Sequence, residues 1–276
     1  MPPSRGWPGS WAVAGLLLIL VAVPAQAIDR GADGEFSKRD SSHFVLFQDV
    51  DIDQTSGLRG SRRFEQDVLE TLEGAYQRAD RQLGLRPQRD ITVIVYDPAV
   101  FDAQFSGLFK FPAAGFYGGQ IQVRGGERVS SSLIQVLHHE HVHAAFDLDV
   151  SGLTLPAWFN EGIAEWFEAG ALGRSTLSRA EARRVSEAAA EGRLFSLSEL
   201  SKPTFGRMGP GSARLAYAES HAFIDYLVDV HGAQKLREWI QAVVRTRDVE
   251  RSARRTYRAE LSILEERFRE RWAPGG

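Results

Sequence analysis

Cysteine does not occur anywhere in the 276-residue chain. Its absence excludes a disulfide framework, a thiolate metal site, a cysteine nucleophile and a lipid-bearing N-terminal cysteine. Stability must therefore come from packing, aided by a metal if one is bound. A strong charge imbalance is missing too: 33 Lys and Arg against 36 Asp and Glu leave a net charge of −3. Such a mild charge argues against general nucleic-acid affinity. No apolar run suffices to span a bilayer, since the run from Trp11 to Val23 covers about thirteen residues where a spanning helix needs roughly 20. Internal repeats and low-complexity tracts are likewise absent.

What is present at the N-terminus fits a secretory signal: Arg5 in a short basic region, the apolar run, then the small-residue cleavage site Ala25-Gln26-Ala27. The expected organisation is a signal over 1–27, a loose polar segment over 28–42, and one domain over 43–276. Within that domain, 43–150 reads as a sheet-containing lobe and 151–276 as a helical lobe. Export to a periplasm or to the exterior follows, with no membrane span once the signal is removed.

Periodicity predicts an α+β fold, with a small N-terminal mixed sheet and a mainly helical C-terminal half. His43 to Phe47 and Ile91 to Tyr96 read as strands, and Arg62 to Leu83 as a long amphipathic helix stopped by Gly84. Gly57 to Gly60 reads as a break. Gly115 to Gly126 suggests a hairpin whose second strand, Gln120 to Arg124, forms a sheet edge. A helix capped by one of Ser130, Ser131 or Ser132 should run to about Phe146, and another should open at Pro156 and close near Gly170. The arginine-rich run from Arg245 to Arg271 is interleaved with glutamates and reads as a solvated amphipathic surface.

The chemistry concentrates in His139-Glu140-His141-Val142-His143, followed by Asn160-Glu161-Gly162-Ile163-Ala164-Glu165. On a helix His139 and His143 share one face, so two imidazoles can hold one metal with Glu140 beside it. Catalytic zinc usually takes three protein ligands and leaves the fourth position to water. Glu161 would complete a His2Glu set for one Zn2+ per chain. Glu165, four residues on, is placed to accept a hydrogen bond from the far nitrogen of a liganding histidine. His138 and His141 point off that face and read as bystanders, while His43 and His231 carry no signal.

This arrangement resembles the gluzincin zinc metallopeptidases, the thermolysin-like and aminopeptidase-like superfamily. The run from Leu155 to Phe167 (LPAWFNEGIAEWF) is similar to the peptidase MA-like domain of exported bacterial proteins. The resemblance implies that His139, His143 and Glu161 bind zinc and that Glu165 is the supporting acid. The interval from His143 to Glu161 is shorter than in the best-known members, so Gly152 and Pro156 must turn the chain tightly. A family tyrosine on a later helix maps to Tyr217 as the donor to the developing oxyanion, with His221 as substitute. The implied function is hydrolysis of peptide bonds in a peptide or protein substrate, with Glu140 as general base and then acid. The competing reading is a non-catalytic, zinc-stabilised envelope module that binds proteins through the cleft or the Gln120–Arg124 edge.

Overall fold

The computed structural model describes residues 36–50, 52, 60–105, 107–108, 113–174 and 177–273. The segment 1–27, read as a signal, lies outside the described residues, as does the break before Gly60. The described residues form an α+β fold. Its N-terminal half contains β1 (Ser37–Asp40), β2 (Phe44–Gln48), α1 (Gly60–Leu83), β3 (Ile91–Tyr96), α2 (Pro98–Phe105), β4 (Gly115–Tyr117) and β5 (Ile121–Arg124). The mainly helical C-terminal half contains α3 (Ser131–Asp149), α4 (Ala157–Ala171), α5 (Arg179–Ala190), α6 (Pro210–His231), α7 (Ala233–Thr246), α8 (Val249–Tyr257) and α9 (Leu261–Trp272).

The strands form one mixed sheet in the order β1-β2-β3-β5-β4. β2, β3 and β5 run parallel, and β1 and β4 join them antiparallel at the two margins. The expected hairpin therefore exists, but its edge is β4 rather than Gln120–Arg124. β3 is buried along nearly its whole length, so it needs a partner on each side, and β5 supplies one through Val93↔Ile121 and Val95↔Val123. β1 lies in the stretch read as loose. Its sequence SKRD is mostly exposed and lacks apolar alternation, so backbone pairing with β2 orders it.

Two cores meet at α3. The sheet packs beneath α1 and α3 through Phe44, Leu46, Val68, Leu72, Val93 and Leu137. The helical core gathers Trp158 and Phe159 of α4, Phe223 of α6 and Trp239 of α7, and Val142, Ala145 and Phe146 of α3 reach into it. Trp239 stacks on Trp158 with centroids 6.0 Å apart and meets Phe159 edge-on at 4.8 Å, contacts worth about 0.5–1.5 kcal/mol each beyond burial. With two sides of α3 committed to these cores, its remaining side faces a cleft. Ser130 caps α3 by accepting the Leu133 N–H at 3.2 Å.

The connection from α3 to α4 is short, as the spacing required. Gly152 takes φ +76, a left-handed conformation that favours glycine, and Pro156 precedes the first turn of α4. Proline has no side-chain acceptor, so the first N–H groups of α4 are taken by carbonyls of a later loop: Ala157 to Lys202 at 2.8 Å and Trp158 to Leu200 at 3.2 Å. α8 breaks the arginine-rich run into separate helices, with Asp248 capping it through the Arg251 N–H at 2.8 Å.

Candidate metal centre

α3 and α4 bring His139, His143 and Glu161 together, with their ligand atoms within 4.8 Å of one another. Glu161 Oε2 lies 3.2 Å from His139 Nε2 and 3.3 Å from His143 Nε2. A tetrahedral zinc site with bonds of about 2.1 Å has ligand–ligand edges of about 3.4 Å, which the two edges from Glu161 to the histidines match. All three side chains are between 11% and 13% exposed. The electrostatics agree. Burial opposes charge on both imidazoles, yet the Glu161 carboxylate beside them holds both above the usual histidine range, and they in turn hold Glu161 well below the usual carboxylate range despite its burial. Zinc would use the nitrogen lone pairs that protons otherwise occupy.

The support for His139 comes from an unexpected residue. Its Nδ1 hydrogen-bonds Glu168 Oε2 at 3.2 Å, which directs the other nitrogen, Nε2, toward Glu161. Glu165, assigned that role from spacing, instead lies with Glu181 and His221. Residues four and seven positions beyond Glu161 both fall near its helical face, and the crossing of α4 over α3 selects the second. The Nδ1 of His143 is buried without a partner among the described residues.

Glu140 is 6% exposed and lines the cleft beside the three ligands. Burial raises its carboxyl, with His139 and His143 partly offsetting the rise. Tyr217 reaches the same cleft from α6. Burial, followed by the negative charge of Glu161, Glu165 and Glu140, pushes its phenol far up, so the hydroxyl stays protonated as a donor. The close approach of α6 depends on Gly162. A Cβ there would lie 2.6 Å from the Ser220 carbonyl and 2.9 Å from Ile224 Cγ1.

The bystander histidines are engaged elsewhere. His138 Nδ1 meets the Ile134 carbonyl at 2.8 Å, and His141 is fully buried between Phe44 and Tyr76, where burial drives its pKa down to about 3. His43 bonds Glu73 Oε2 at 2.7 Å.

The cleft encloses about 480 Å³. The edge strand β4 forms one wall, where Gly115 allows contact with α3: a Cβ would lie 2.5 Å from Val136 Cγ1. Glu168 and Glu181, neither singled out from sequence, also line it, with Arg184 and Arg214. Glu181 was legible only as the third residue of the Ser178 capping box. Among the described residues no helix is long and apolar enough to cross a membrane.

No curated protein matches this chain. The profile of the peptidase MA superfamily matches residues 73–273, a span that includes α3, α4, the cleft and the later helices. The chain belongs to the peptidase MA superfamily and has its metallopeptidase-like fold.

Proposed function

We propose that the protein is an exported, zinc-dependent metallopeptidase of the gluzincin type that hydrolyses peptide bonds in the periplasm or outside the cell. The observation that carries this reading is the convergence of His139 Nε2 and His143 Nε2 on Glu161 Oε2 at 3.2 and 3.3 Å, with Glu140 buried alongside. Bound by those three residues, zinc would supply Lewis acidity that polarises a carbonyl and eases deprotonation of water.

The chain's own residues would do the rest. Glu140, its carboxyl raised by burial, would take the proton of the attacking water and deliver it to the leaving amine. Glu168 would hold His139 in the tautomer that offers Nε2. The protonated Tyr217 hydroxyl would donate to the oxyanion as it develops, a contribution that grows toward the transition state. β4, at the margin of the sheet and in the cleft wall, would align an extended substrate backbone. Residues 1–27 of the sequence support the export part of the reading.

The test is metal content of the purified wild type, His143→Ala and Glu140→Gln proteins by elemental analysis. Zinc at this centre should be present in wild type and Glu140→Gln and absent from His143→Ala. No zinc in wild type after reconstitution would overturn the proposal.

A further inference from the structure

A second cluster of metal-ligating side chains opens on the same cleft and shares no residue with the first. Glu165, Glu181 and His221 come from α4, α5 and α6, and their ligand atoms lie within 4.8 Å of one another. His221 is 1% exposed. Its Nδ1 is 3.3 Å from Glu181 Oε1, and its Nε2 is buried without a hydrogen-bond partner among the described residues.

Glu181 is fixed from its other side. Its Oε2 accepts the Ser178 N–H at 2.7 Å and faces Arg174 Nη1 at 3.8 Å, which leaves Oε1 toward His221. Glu165 lines the cleft beside them. The cleft wall as a whole carries five glutamates against two arginines.

We propose that Glu165, Glu181 and His221 form a second divalent-cation site, of the class that takes Zn2+ or Mn2+, in which Glu165 stands one turn of α4 beyond Glu161. A substrate ammonium would need acceptors alone, whereas one buried imidazole with two carboxylates is a transition-metal donor set. An ion here would balance Glu165 and Glu181 and present a second Lewis acid to a substrate lying along the cleft. The site stands on its own three residues and does not depend on the peptidase reading.

Zinc titration of the metal-free protein by calorimetry, with elemental analysis of the product, tests it. Wild type should bind two ions per chain, His143→Ala one, the Glu165→Gln/Glu181→Gln double variant one, and the combination none. Because Glu181 also caps α5, the single variant Glu165→Gln, which removes no cap, should weaken the second ion at least tenfold. Wild type saturating at one ion that His143→Ala abolishes would overturn this site and leave the first intact. A second ion that persists in the double variant would overturn it as well. An ion lost in the double variant but kept in His143→Ala would support this site and sink the first.

Discussion

Replacing Glu168 with alanine removes the hydrogen bond that holds His139. The contact is 3.2 Å long, both side chains are 13% exposed, and water would substitute for the carboxylate poorly in so enclosed a position. Loss of such a supporting partner lowers metal affinity about 10–100-fold, equivalent to about 1.4–2.8 kcal/mol. Competition against a chelator of known affinity would measure it, reading the ion that His143→Ala abolishes. Glu168→Ala should raise the dissociation constant of that ion by this factor, and Glu168→Gln, which keeps an acceptor, should recover part of it. Glu165→Gln should leave that ion's affinity at the wild-type value. An unchanged affinity in Glu168→Ala, or an equal loss in Glu165→Gln, would refute the assignment of Glu168 as the residue that orients His139.

Three further outcomes are expected. Tyr217→Phe should retain zinc at the first centre and lower kcat about 10²–10³-fold, the usual consequence of deleting one oxyanion donor; a variant with wild-type kcat would remove Tyr217 from the mechanism. Gly162→Ala should destabilise the fold by about 1–3 kcal/mol through overpacking against α6. At Gly74 in α1 an added Cβ meets nothing within 4 Å, so Gly74→Ala should stabilise by about 0.5–1 kcal/mol; denaturant melts of the pair check both signs. Glu219, 2% exposed, accepts the Phe195 N–H at 2.9 Å, and burial pushes its pKa up to about 8. The unfolded chain releases this proton near the ordinary glutamate value of 4.5 while the folded chain keeps it, so this group's contribution to stability falls as pH rises between the two values, at up to about 1.4 kcal/mol per pH unit. Glu219→Gln should therefore raise Tm over wild type by more at pH 8 than at pH 5, and equal gains at both would contradict the burial argument.

Much of this was legible in the sequence because the signals were local. The four-residue spacings of His139 with His143 and of the apolar residues in α1 fix helical faces without knowledge of the partner element. The run Ser130-Ser131-Ser132 and Pro156 marked the starts of α3 and α4 for the same reason, and the structure selects Ser130 as the cap. Features set by tertiary placement were not legible. Local pattern gives the β4–β5 hairpin, but β3 decides which of its strands is internal. Exposed β1 has no apolar period because its order comes from the β2 ladder. The choice between Glu165 and Glu168 depends on how α4 crosses α3, and Glu181 reaches the cleft only because α5 packs against α6. The sequence marks Glu181 as a cap and nothing more.

Cleavage of a peptide library by the zinc-loaded protein, compared with Glu140→Gln carrying the same zinc, tests the catalytic assignment most directly. Mass spectrometry should find internal cleavage products with wild type, formed at least about 10²-fold more slowly by Glu140→Gln, as expected on losing a general base. Equal rates in the two proteins, or no products from a wild type shown to hold zinc on His139, His143 and Glu161, would contradict a catalytic role for Glu140 and leave a metal-stabilised binding module.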